Sequence, residues 1–89
     1  MPYFVYILRC NDESYYTGIT WNLKKRIIEH NLRIRSPLQK TKVPASLVFW
    51  EKHSNIIEAA KREKEIKGWS RHKKEKLINS GKIGLLKKE

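Results

Sequence analysis

The side chains best able to do chemistry in this chain lie on two stretches with helical periodicity. On the first, Leu23, Ile27 and Ile34 fall on one side at 100° per residue, and Arg26 and His30 fall on that same side. Arg26 and His30 are four apart, so they stack on adjacent turns. An arginine offers bidentate donors to a phosphate, and a histidine exchanges a proton near neutral pH. The alternative is packing, with Arg26 snorkelling and His30 half-buried. On the second stretch Ile56, Ala59, Glu63 and Ile66 follow i, i+3, i+7 and i+10, which puts Glu63 in the middle of an apolar stripe. An unpaired carboxylate there is costly. Two readings satisfy it: a buried salt bridge, with Arg26 as a partner, or a hard oxygen ligand for a divalent cation such as Mg²⁺ or Mn²⁺. Glu58 and Glu65 lie off the stripe and read as solvated charges.

Positioning these groups requires a scaffold. Residues 3–10, YFVYILRC, are aromatic and β-branched enough for a strand, with Tyr3, Val5, Ile7 and Arg9 on one face and Phe4, Tyr6, Leu8 and Cys10 on the other. Asn11 to Ser14 form a turn, and residues 15–19 return as a second strand. Gly18 inside that strand marks a bulge or a close backbone approach. Thr20 or Asn22 caps a helix over about residues 21–32. Residues 33–44 hold Pro37, Pro44 and four basic side chains and form a loop able to touch a phosphate backbone. A third strand covers 46–52. Asn55 with Glu58 resembles a capping box for a helix reaching about Lys67. Ser70 caps a last helix through about Asn79, which Gly81 ends. The order ββαβαα gives an α+β fold, a small three-stranded antiparallel sheet flanked by helices. One domain spans 1–81, and 82–89 form a frayed basic tail.

Lys plus Arg number 20 against 9 acidic residues, a net charge of +11 on 89 residues. Such a field selects a polyanion, most often nucleic acid, over a membrane surface. The charge is spread through the folded region at Lys24, Lys25, Arg26, Arg33, Arg35, Lys40 and Lys42 and from Lys61 to Lys76, which argues against an appended arm. A single cysteine, Cys10, excludes an internal disulfide framework and a zinc site built on several thiolates. No apolar run is long enough to span a bilayer and no signal peptide precedes the first strand, so a cytoplasmic setting is expected.

Val5-Tyr6, then Tyr16-Thr17-Gly18, then Asn22-Leu23-Lys24-Lys25-Arg26, His30 and a helical Glu63 form an ordered set. In that order they resemble the GIY-YIG nuclease motif. The resemblance runs from about Pro2 to Gly81, and the segment from Ala59 through Trp69 to Ile78 is similar to the small stand-alone bacterial type, the YhbQ-like group. It implies that Tyr6 and Tyr16 sit side by side near an attacking water and the scissile phosphate. It further implies that Gly18 permits close approach, Arg26 holds the phosphate, His30 assists proton transfer, and Glu63 holds a single Mg²⁺ or Mn²⁺ ion. Two positions depart from the family pattern. Phe4 stands where the motif has glycine, and Ile19 stands where some repair nucleases carry a lysine that would lower a tyrosine's pKa. An unassisted tyrosine titrates near 10, far from a base at neutral pH. Activation then falls to His30 or to a metal-bound water.

The resemblance implies a metal-dependent endonuclease acting on DNA, or on RNA, with Lys24, Lys25, Arg33, Arg35, Lys40 and Lys42 as nucleic-acid contacts. A non-catalytic nucleic-acid-binding module on the same scaffold is the first alternative, and a basic subunit awaiting an acidic protein partner is the second.

Overall fold

The computed structural model describes residues 1–80. Strands β1 (Tyr3–Arg9) and β2 (Tyr15–Thr20) form a hairpin, and helix α1 (Leu23–Leu32) follows. A long loop carries one 3₁₀ turn at Lys40–Lys42; then come strand β3 (Ser46–His53) and helices α2 (Ile56–Lys67) and α3 (Arg71–Ile78). The sheet is antiparallel in the order β2-β1-β3, the expected α+β arrangement. The helix stop expected at Gly81, the domain limit there and the tail 82–89 lie outside the described residues. Among the described residues no helix is long and apolar enough to cross a membrane.

The central strand explains the two-sided core. Both faces of the sheet are covered, one by α2 and the other by α1 and the long loop, so the alternating side chains of β1 feed two hydrophobic clusters. Val5 and Ile7 pack with Phe49, Ala59 and Ile66 beneath α2. Tyr6, Leu8 and Cys10 pack with Leu38 and Ala45, joined by Leu23 and Ile27 of α1. The β1–β3 register shifts between Ile7 and Leu8, where Phe49 and Leu47 are the partners, and so β3 carries the irregularity while β1 stays regular.

The long loop is tied down. Asp12 accepts from the Ser14 amide and hydroxyl in the hairpin turn, and Lys42 Nζ donates to Asp12 Oδ2 at 2.7 Å and to Ser14 Oγ at 3.0 Å. The Asn11 amide donates to the Lys42 carbonyl, so the loop and the β1–β2 turn are latched at main chain and side chain. The helix caps form as the sequence indicates: the side chains of Asn22, Asn55 and Ser70 accept from the amides of Lys25, Glu58 and Lys73.

Two details of the periodicity reading need correction. Ile34 does not share the inner side of α1. The helix ends at Leu32, Arg33 takes a left-handed cap (φ 58°), and Ile34 is 45% exposed. No glycine or proline stands at that boundary, so the apolar spacing continues past the helix it describes. Ile56 is likewise 48% exposed, and α2 buries its stripe only from Ala59 onward.

A buried ionic cluster has no counterpart in the sequence reading. Glu51, on β3, accepts from Arg62 Nε of α2 at 2.7 Å, and His53 Nε2 lies 2.9 Å from the same carboxylate oxygen. Arg62 also donates to Glu65 and stacks over the Trp69 ring at 5.1 Å. It ties β3 to α2 and to the α2–α3 junction.

Candidate active site

Tyr6 and Gly18 are directly opposite in the β1–β2 ladder. A Cβ at Gly18 would lie 2.6 Å from Tyr6 Oη and 2.7 Å from Cζ, closer than such atoms approach. The glycine therefore makes room for the tyrosine ring, which crosses over the neighbouring strand. Tyr16 and His30 complete an aromatic group, with ring centroids 6.3 Å (Tyr6–Tyr16), 5.9 Å (Tyr6–His30) and 5.1 Å (Tyr16–His30) apart.

His30 is fully buried at 0% exposure, deeper than a half-buried packing role would have it, and Tyr6 is 1% exposed. Tyr6 Oη lies 2.7 Å from His30 Nε2, and His30 Nδ1 lies 2.6 Å from Ser36 Oγ. Ser36 Oγ in turn accepts from the Leu38 amide. Burial, followed by the nearby Arg26 charge, brings the His30 pKa down to about 4. Burial, with a contribution from Tyr16, pushes Tyr6 up to about 12, and Arg26 offsets part of that rise. At neutral pH the pair is a phenol and a neutral imidazole. Two neutral tautomers fit these distances: Tyr6 donates to Nε2 while Nδ1–H donates to Ser36, or Ser36 donates to Nδ1 while Nε2–H donates to Tyr6.

Arg26 stands at the mouth. Its Nη1 donates to Glu29 Oε1 at 3.0 Å and to the Arg35 carbonyl at 2.8 Å, and Arg35 Nη2 donates to Glu29 Oε2 at 3.0 Å. The two guanidinium groups hold the Glu29 carboxyl below its ordinary pKa. Arg35, in a left-handed conformation (φ 48°), turns the loop back onto α1. Of the other basic residues singled out, Lys24, Lys25, Arg33 and Lys40 are exposed, and Lys42 is half-buried against Asp12. Ser36 and Glu29 escaped the sequence reading. Glu29 carries a usable signal, the i, i+3 spacing from Arg26; Ser36 sits in a loop with no periodicity to flag it.

Glu63 is half-buried on α2. Its partner is Lys67, one turn on, at 3.0 Å, while Arg26 pairs with Glu29. The Glu63 charge nonetheless reaches the site, being among the groups that raise the Tyr6 pKa. Among the described residues no group of three or more His, Cys, Asp or Glu converges as a metal cage. A lone carboxylate fits Mg²⁺ in its usual mode, with one or two protein carboxylates and the remaining positions filled by waters and substrate phosphate oxygens. Lys67, half-exposed, is the cation such an ion would displace.

The profile of the GIY-YIG catalytic domain matches residues 2–76. The chain belongs to the GIY-YIG family. This GIY-YIG chain is similar to a UPF0213 protein of Staphylococcus saprophyticus, at 44% identity over 79 residues that cover 89% of this chain and 96% of that one. It is also similar to a UPF0213 protein of Clostridium perfringens, at 45% identity over 80 residues, 90% of this chain and 86% of the other. Among solved structures, the solution NMR structure of a UPF0213 protein from Bacillus halodurans superposes with a TM-score of 0.60 at 36% identity, covering 91% of this chain and 86% of that one. Family membership places the chain among nucleic-acid-interacting domains.

Proposed function

We propose that this GIY-YIG domain engages nucleic acid through α1 and the loop that follows it, and that the site beneath this face hydrolyses phosphodiesters. Engagement is the better supported half. Family membership and the +11 charge both support it, with Lys24, Lys25, Arg33, Arg35 and Lys40 exposed on this side. Lys42 contributes by holding the loop. DNA as the favoured substrate, a cytoplasmic setting and kinship with the small stand-alone bacterial YhbQ-like group belong to the same proposal.

The chemical half is carried by one observation, the Tyr6–His30–Ser36 chain closed under Arg26. Arg26 and Tyr16 meet the phosphate, and Tyr6 orients a water for in-line attack. Ionising Tyr6, with its pKa of about 12, costs about 7 kcal/mol at neutral pH. Protonating His30, with its pKa of about 4, costs about 4 kcal/mol. A proton resting on His30 at the expense of Tyr6 meets both costs, about 11 kcal/mol together, so neither group is a free base at rest. Tyr6 orients the water and passes its proton to His30 Nε2 only as it takes the water's own, with Ser36 fixing the imidazole. A divalent cation on Glu63, when bound, would neutralise charge on the leaving oxygen.

The binding module without chemistry is favoured by a specific observation: Arg26 is engaged by Glu29, and Glu63, the only acidic residue proposed for the ion, is engaged by Lys67. The experiment is a salt series of affinities run beside single-turnover cleavage of single-stranded, duplex and branched DNA and RNA, with Mg²⁺, Mn²⁺ or chelator. Metal-dependent product supports hydrolysis. A steep salt slope with no product under either metal establishes the binding module, and a flat slope removes nucleic acid altogether.

A further inference from the structure

Beside Arg26 a cavity of about 370 Å³ opens between the end of β2 and α1, lined by Trp21, Lys25, Arg26, Glu29 and Arg35 among others. Its size is that of a small-ligand site. Trp21 lies at the β2–α1 junction with 50% of its surface exposed. Trp21 belongs to neither hydrophobic cluster of the core, and Leu23 and Ile27 supply the inner face of α1. Across the cavity the Glu29 carboxylate bridges Arg26 and Arg35 at 3.0 Å each, so two guanidinium groups already converge on one anion. Carboxylate and phosphate make the same bidentate contacts with such a pair.

We propose that this cavity is a nucleotide subsite, which takes an unpaired base against Trp21 and the adjoining phosphate at Arg26 and Arg35 in place of the Glu29 carboxylate. The inference rests on the nucleic-acid reading above and narrows it to a substrate class: single strands, ends, flaps or bulges. An aromatic face can stack only on a base whose own faces are free, which a continuous duplex does not offer. Lys25, at the rim, supplies a further cation. Phosphate contacts alone would leave the site indifferent to strand number, so Trp21 is the residue that discriminates.

The test is fluorescence anisotropy on the full chain with a labelled ten-nucleotide single strand and a duplex of the same length, for the parent, Trp21→Phe and Trp21→Leu. Leucine keeps an apolar side chain and removes the ring. Single-strand affinity should fall by roughly 5- to 150-fold in Trp21→Leu, the range that stacked bases lose on truncation, and Trp21→Phe should retain most of it. Duplex affinity should change far less in both. As a second readout, the single strand should quench the parent's indole emission, and the quench should shrink in Trp21→Phe, where Trp50 and Trp69 remain. Equal single-strand affinity in Trp21→Leu, or an equal fall on both substrates, overturns the subsite and leaves general nucleic-acid binding standing. If Trp21→Leu does not fold, an undiminished quench in Trp21→Phe overturns it. A parent that binds neither substrate overturns both the subsite and the reading beneath it.

Discussion

His30 gives the sharpest quantitative test, because its environment makes a thermodynamic demand that activity assays never see. The imidazole is fully buried, and its pKa falls from 6.5 to about 4 on folding. A group whose protonated form is disfavoured by folding takes up protons preferentially in the unfolded chain. Stability is therefore fully present above pH 6.5, is lost as the pH falls toward 4, and loses nothing more from this residue below that. The whole loss is about 3 kcal/mol, at a slope of about 1 kcal/mol per pH unit near pH 5. The depressed carboxyls act in a lower window. Glu29 and Asp12, below their ordinary 4.5 and 3.8, give up stability only as the pH falls through those values and beyond. Most of the His30 contribution thus appears between pH 6.5 and 4.5. Urea unfolding across that range, for the parent and for His30→Gln, isolates it, since His53 and His72 are common to both and cancel. The variant should start lower and run flatter. Equal slopes would falsify the buried neutral imidazole, as would an NMR titration of the parent with the His30 ring protonating near 6.5. The NMR arm decides the matter even where the glutamine variant folds poorly.

The remaining predictions concern the same group of side chains. Gly18→Ala should destabilise by about 1–3 kcal/mol in thermal or urea unfolding, because the new methyl collides with a buried ring that has nowhere to move. Tyr6→Phe should cost about 1–2 kcal/mol, leaving a buried imidazole nitrogen without its partner, whereas Tyr16→Phe, in a half-buried ring, should cost less; in single-turnover cleavage Tyr6→Phe should lose about 10²–10⁴-fold. Glu63→Gln should barely alter stability, since a partly exposed i, i+4 pair contributes about 0.3–0.5 kcal/mol, yet should remove any metal-dependent cleavage while affinity for DNA holds or tightens; a loss of several kcal/mol would instead mark Glu63 as structural. Glu29→Gln should tighten nucleic-acid binding measured by anisotropy at low salt, because it releases Arg26 and Arg35 from a competing anion, and weaker binding would show that Glu29 positions them.

The sheet and the three helices were legible because each carries a local signal: β-branched and aromatic runs for the strands, and Asn22, Asn55 and Ser70 for the caps. Gly18 was legible as a place of close approach, although the group that approaches is the Tyr6 ring. Arg26 and His30 were visible as an inward pair on one helix. Their partners were not, because Ser36 and the Arg35 carbonyl come from a loop whose path depends on the left-handed turns at Arg33 and Arg35. The Glu51–His53–Arg62 cluster was hidden for a related reason. Glu51 and His53 share one face of β3, and Arg62 reaches them from α2 only in three dimensions. Periodicity finds what one element presents; it does not find what two elements share.

Tyr6 occupies the middle of the central strand, with Gly18 on one side and Trp50 on the other. Its ring fills the core, and its hydroxyl is the part that the proposed chemistry would use, so one residue answers two demands. A lineage that abandons the chemistry still needs a large flat side chain over Gly18. Such a lineage can drift to phenylalanine at about 1–2 kcal/mol of folding stability, against about 3–5 kcal/mol for alanine. Phenylalanine opposite a retained glycine would then be the scar of a silenced site, readable in descendants long after the reaction itself had gone.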